Sequence, residues 1–135
     1  MRTLSISRTG MSRLTFDGEM LSSSEGRCRH NRDHYRWHNI SLYRTKGGSY
    51  VVATEYHTIS DQEENRSTAE VCKTASEVAP LLRSYDPEEG VQMLSASDTG
   101  FDPDSVKTLR DLRRRFEAQV SEVLADHPEF DERID

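Results

Sequence analysis

Residues Tyr35 to Ser60 read YRWHNISLYRTKGGSYVVATEYHTIS, and this stretch decides the fold. Two runs rich in β-branched and aromatic residues flank Gly47-Gly48, a dipeptide that accepts the positive φ angles of a two-residue hairpin turn. The pattern predicts an antiparallel β-hairpin over about residues 35–60. With Lys46 set opposite Ser49, Tyr43 faces Val52, Leu42 faces Ala53 and His38 faces His57. One face of the ribbon then carries Ile40, Leu42, Val51, Ala53 and Ile59, and the other carries Trp37, Tyr43, Tyr50, Val52 and Tyr56. A slip of one residue would turn the side chains of a strand to the opposite face. Both faces are partly apolar and a two-stranded ribbon is marginal in water, so further elements must cover at least one of them.

Upstream, residues 1–12 (MRTLSISRTGMS) are polar with no clear period and read as a flexible leader. Arg13 to Leu21 (RLTFDGEML) combines β-formers with Asp17-Gly18, and one bent strand joining the hairpin is preferred over a separate tight turn. Ser22 to Gly26 then reads as a loop. The stretch Gly26 to Tyr35 mixes Arg27, Arg29 and Arg32 with Cys28, His30, Asn31, Asp33 and His34. It has no apolar face, which predicts an exposed connection.

Downstream, Asp61 to Arg66 is a charged loop and Ser67 to Lys73 (STAEVCK) supplies a further strand. Thr74 and Glu77 form the T-x-x-E pattern of a capping box, which opens a short helix over about residues 75–85. Val78, Leu81, Leu82 and Tyr85 of that helix point to the sheet. Pro80 lacks an amide hydrogen and crowds the preceding turn, so the helix must kink or start late. Asp86-Pro87-Glu88-Glu89-Gly90 ends it, and Val91, Met93 and Leu94 tuck a loop against the core. Asp102-Pro103 offers an N-cap and a proline at the first helical position. Val106, Leu109, Leu112, Phe116, Val120 and Val123 then recur at three and four residues, which gives a helix over about residues 103–126. At 1.5 Å per residue this rod is about 35 Å long, more than a small sheet covers. Either part of it docks on another chain, as in a homodimer, or it lies across the domain with its final turns exposed, so Leu112 and Phe116 belong either to a dimer seam or to the core. Residues 127–135 read as an acidic, fraying tail.

These elements make one α+β domain over residues 13–126, with an antiparallel sheet of three or four strands covered on one face by the two helices. Hydrophobic residues make up 33% of the chain and charged residues 31%, with a mean hydropathy of −0.82, so the core is expected to be thin. The net charge of −6 is unevenly spread. Residues 1–60 hold nine Lys or Arg against five Asp or Glu, giving +4, whereas residues 61–135 hold nine against nineteen, giving −10. Cys28 and Cys72 cannot form a disulfide framework and read as free thiols. No apolar run approaches a membrane span and the first residues lack the apolar centre of a signal peptide, so a soluble, cytoplasmic protein is expected.

Candidate chemistry is sparse. On a strand, His34 and His38 lie about 13 Å apart, too far to share one ion. His38 and His57 across the hairpin are better placed but lack a third ligand, so no metal or cofactor is assigned. The sequence has no G-x-S-x-G, H-E-x-x-H, Walker or G-x-G-x-x-G motif, and no catalytic residue is assigned. A metal-dependent enzyme is the least favoured reading. Trp37, Tyr43, Tyr50 and Tyr56, with Arg44 near the turn, instead suggest a recognition surface, because Trp, Tyr and Arg dominate interface hot spots. The same aromatic face beside the basic half could stack nucleobases and meet phosphates. Arg110, Arg113, Arg114 and Arg115 form a second cluster, offset by Asp111 and Glu117; Arg110 and Arg114 join the candidate contact residues. The expected function is a non-enzymatic interaction module that binds a protein, such as a small acidic inhibitor encoded by a mobile element. Nucleic-acid binding is the alternative.

Overall fold

The structure, a computed structural model, describes residues 1–26, 36–59, 63–91 and 103–131. It is an α+β fold with five strands, β1 (Arg2–Arg8), β2 (Met11–Glu25), β3 (Arg36–Thr45), β4 (Tyr50–Thr58) and β5 (Arg66–Cys72), in one antiparallel sheet of order β1-β2-β3-β4-β5. The extra strand over the three or four expected is β1, formed by residues read as a leader. Leu4 and Ile6 alternate with the exposed Thr3, Ser5 and Ser7, and that period of two buries one edge of a short strand.

β2 is a single bent strand. It pairs with β1 over its first half and with β3 over its second, and Gly18 is opposite both Arg2 and Thr45. A Cβ at Gly18 would meet the Arg44 carbonyl oxygen at 2.4 Å, so glycine lets the strand cross at the bend. Past Gly18 the β1–β2 hairpin curls over one face of the sheet, and the two edge strands meet. The Thr9 amide donates to the Ser67 carbonyl and the Ser67 amide donates to Thr9 Oγ1, both at 2.8 Å. The expected loop at residues 22–26 is mostly strand, because Ser22 to Glu25 continue the pairing with β3 after an irregularity between Met20 and Ser22.

The central hairpin forms, but its register corrects the expectation. Thr45 donates to Ser49 at 2.8 Å, Gly48 donates to Thr45 at 3.0 Å, and Gly48 has φ +88°. This is a three-residue loop, Lys46-Gly47-Gly48, in which a tight turn is followed by a left-handed glycine. Tyr43 therefore faces Val51, Leu42 faces Val52, His38 faces Tyr56 and Trp37 faces His57. The one-residue shift exchanges the faces of β4. Ile40 and Leu42 lie with Tyr50 and Val52 on the helix-covered side, while Tyr43 lies with Val51 and Ala53 on the inner side of the curl.

After β5, a 3-10 turn (Ala75–Glu77) precedes α1 (Val78–Ser84). The late start puts Pro80 in the first α-helical turn, where its missing amide hydrogen costs nothing. The expected capping box does not form: Thr74 makes no side-chain cap, and Glu77 accepts at 2.9 Å from the amide of Lys73, one residue before the N-cap. The long helix, α2 (Pro103–Leu124), is about 33 Å long, and Leu112, Phe116, Val120 and Val123 are buried. Leu112 and Phe116 thus serve the core of this chain. The tail does not fray at once, since a 3-10 turn (Pro128–Phe130) buries Phe130 edge-on to Tyr50 at 5.2 Å between ring centres.

Two cores result. The larger joins Ile40, Leu42, Val52, Leu82, Phe116 and Val123 with their neighbours between sheet and helices. The smaller packs Leu4, Ile6, Leu14 and Phe16 onto Tyr43, Val51, Ala53 and Ala69 inside the curl. No helix of the described residues is long and apolar enough to cross a membrane.

Candidate functional site

The shifted register divides the aromatic set. Tyr50 and Tyr56 lie beneath the helices at 8% and 1% exposure. Tyr43 is buried on the inner face, edge-on to Phe16 at 5.5 Å. Trp37 is half-buried at the other end of that inner face, stacked on the His57 ring at 5.3 Å and 9°. Arg44, near the hairpin tip, is exposed. The four rings therefore do not form one surface, but Trp37 and Tyr43 share the face that the curl only partly covers.

Between the folded-over β1–β2 hairpin and the sheet lies a hollow of about 190 Å³, walled by Ser5, Ser7, Arg13, Ser41 and Glu55 with Tyr43 among its lining. Arg13 is held there by three bonds, donating to Ser5 Oγ at 2.8 Å, Ser7 Oγ at 2.8 Å and the Ser5 carbonyl at 3.0 Å. Glu55 lies two residues along β4 from His57, with its carboxylate 3.7 Å from His57 Nε2. Because a strand turns alternate side chains to one face, Trp37, Asn39, Ser41 and Tyr43 on β3 run beside His57, Glu55, Ala53 and Val51 on β4. The volume is below the roughly 300 Å³ at which small-molecule sites begin. It suits a side chain or a stretch of backbone from a macromolecule.

A larger groove of about 380 Å³ lies between α1 and α2, floored by Leu82, Tyr85, Pro87, Phe116 and Val120. Its cation Arg113 is already neutralised, donating to Glu88 at 2.6 Å and to Asp86 at 3.3 Å. Arg83 is a second cation of its wall, and Glu117 and Ser121 add further polar groups.

Where β3 begins and β4 ends lies a buried polar group that the sequence reading did not identify. The Glu63 carboxylate, with no exposed side-chain surface, accepts from the Tyr56 hydroxyl and from Arg36, whose Nε lies 3.1 and 2.9 Å from its two oxygens. The bond to Glu63 raises Arg36 above its ordinary pKa, and burial followed by the Glu63 bond raises the Tyr56 phenol. This set fastens the chain leaving β4 to the start of β3 and the end of β4. His38 lies beside it, ringed by Tyr56, Phe116 and Tyr85 at 5.2, 5.0 and 5.7 Å, and neither ring nitrogen has a hydrogen-bond partner. Burial, then repulsion from Arg115 and His57, pushes its pKa down to about 4.

His38 and His57 lie on opposite faces of the sheet, because His38 is opposite Tyr56 and His57 opposite Trp37. The two histidines therefore cannot share an ion. Among the described residues, no group of three His, Cys, Asp or Glu side chains could hold a metal. Cys28, His30, His34 and Arg27, Arg29 and Arg32 lie outside the described residues, as does Asp102.

The arginine cluster divides evenly. Arg113 pairs with Asp86 and Glu88, and Arg115 pairs with Asp111 at 3.1 Å while donating to the Arg36 carbonyl at 3.0 Å. Arg110 and Arg114 are exposed and have no ion pair among the described residues. No family model matches the chain, and no curated protein or solved structure matches it either.

Proposed function

We propose that this chain is a non-enzymatic interaction module whose partner is a protein, held at the open end of the inner face. The observation that carries the reading is Trp37. Its ring lies half-buried against His57, and His57 lies beside Glu55, which lines a hollow with polar walls that is too small for a metabolite. A large, oriented aromatic beside a pocket of side-chain size is the usual form of an interface anchor, and Arg13 and Glu55 supply polar groups of both signs at the rim. Tyr43 acts as the floor of this site, and Tyr50 and Tyr56 act as its support from the opposite face.

Trp37 is the single tryptophan of the chain, so its emission reports the site directly. Capture from native extract with wild-type protein should retain a partner that the Trp37→Ala variant loses. Addition of that purified partner should shift wild-type emission to the blue and protect it from quenching. A partner retained equally by both proteins, with unchanged emission, rejects the site. The exposed Arg44 and Lys46 at the hairpin tip favour nucleic acid as the second reading. In that case labelled oligonucleotides are shifted at low salt, with affinity falling steeply as salt is added. No shift at low salt removes it.

A further inference from the structure

The exposed side of α2 carries a charge pattern that the single chain compensates only in part, with Glu122 accepting from Ser24 Oγ at 3.2 Å and no ion pair to Arg110 or Arg114 among the described residues. Arg110, Arg114, Ala118, Glu122 and Asp126 recur every four residues and form one continuous row, with Asp126 in the turn that follows the helix. The signs reverse about Ala118. Arg114 and Arg110 lie four and eight residues before it, and Glu122 and Asp126 lie four and eight after. Lys107 and Glu129 share this spacing, eleven residues before and after, with Glu129 in the 3-10 turn beyond the helix and 3.8 Å from His127 Nδ1. All of these side chains are exposed.

We propose that the chain forms a homodimer in which two copies of α2 lie antiparallel on this face, about a two-fold axis at Ala118. Arg114 then meets Glu122 of the second copy, Arg110 meets its Asp126, and Lys107 meets its Glu129. The axis makes every contact occur twice, as an isologous interface requires. Ala118 at the crossing is small enough for the helices to approach closely.

Two further observations support this occupant. Arg113 and Arg115 are neutralised within the chain, whereas Arg110 and Arg114 are not, so the unpaired cations are the two on the row. The last turn of α2 also carries no cation and is followed by Asp126, although the partial negative charge of a helix C-terminus favours positive neighbours. An antiparallel second copy brings cations to that end. This seam does not use Leu112 and Phe116, which are buried in the core of the chain. It lies on the helix side of the sheet, away from Trp37, and does not depend on the Trp37 reading.

The test is sedimentation equilibrium of the full chain at low ionic strength and at about 1 M salt, where exposed charges are screened within about 3 Å. The wild type should be dimeric at low salt and dissociate at high salt. The R110E/R114E variant should weaken self-association by roughly a hundredfold, since both rows then repel. The E122K/D126K variant should do the same, and each should keep the wild-type circular dichroism. An equimolar mixture of the two variants should restore the dimer, because one row is then acidic and the other basic. A wild type that stays monomeric at low salt overturns the proposal. So does a reversed variant that associates like the wild type, or a mixture that remains monomeric.

Discussion

His38 shows how a single side chain can set the response of the domain to acid. Its ring sits among Tyr56, Tyr85 and Phe116 without a hydrogen-bond partner, and burial is the main reason its pKa falls from 6.5 to about 4. The folded chain keeps it neutral while the unfolded chain takes up a proton near pH 6.5. Between those values the unfolded state binds more protons, so stability is complete above pH 6.5 and falls as pH drops towards 4. A difference of this size corresponds to roughly 3 kcal/mol. Urea midpoints of the wild type and of His38→Phe, recorded from pH 7 to pH 4, should converge or cross as pH falls because only the wild type carries this loss. Parallel curves would show that His38 is not responsible. Glu63 is the other residue of consequence, because its removal leaves Arg36 and Tyr56 without their shared acceptor. Glu63→Ala should cost about 3–5 kcal/mol, against about 1–2 for Tyr56→Phe, which leaves the Arg36 pair in place. Neither role was legible in the sequence. Glu63 stands in a run of charged residues, DQEENR, and nothing local marks one carboxylate of such a run for burial. His38 could be placed on a strand, but the face it takes depends on a register that the residues alone left open.

At the scale of the element, that register rests on Gly48. With φ +88°, a side chain there enters the left-handed region, whereas Gly47 has ordinary φ and meets nothing closer than Thr45 Oγ1 at 3.9 Å. Gly48→Ala should therefore lower stability by about 1–2 kcal/mol, and Gly47→Ala should be within about 0.5 kcal/mol of the wild type. The two-residue turn would instead put both glycines at positive φ and penalise both substitutions. Thermal unfolding of the two variants separates the cases. The hairpin, β5, α1 and α2 were all legible, because each carries several residues of consistent period between strong stop signals. The turn was not, since Lys46-Gly47-Gly48 satisfies either loop length and the choice is made by the pairing on both sides of β3 and β4. β1 was missed for a related reason. Leu4 and Ile6 are too few to establish a period, and their partners, Leu14 and Phe16 on β2 and Tyr43, Val51, Ala53 and Ala69 beyond, are assembled only by the curl.

For the whole molecule, the consequence of so polar a sequence is that each large apolar side chain carries a large share of stability. The main core spends one of its few aromatic rings on Phe130, which lies beyond the long helix and closes the sheet at Tyr50. His127 adds a second tie, with Nε2 3.1 Å from the Leu21 carbonyl, so the segment after α2 is fastened to both β2 and β4. A chain ending at Asp126 loses both ties and exposes the surfaces beneath them. Truncating a buried phenylalanine costs about 3–5 kcal/mol, and a domain of this size has roughly 5–15 kcal/mol in total. The shortened chain should therefore melt well below the wild type, by more than about 10 °C given a few degrees for each kcal/mol. Phe130→Ala in the full-length chain should reproduce most of that loss, whereas His127→Ala should give a small part of it. If the shortened chain melts with the wild type, residues 127–131 add nothing to the fold and the closure of the sheet rests on β1 and β5 alone.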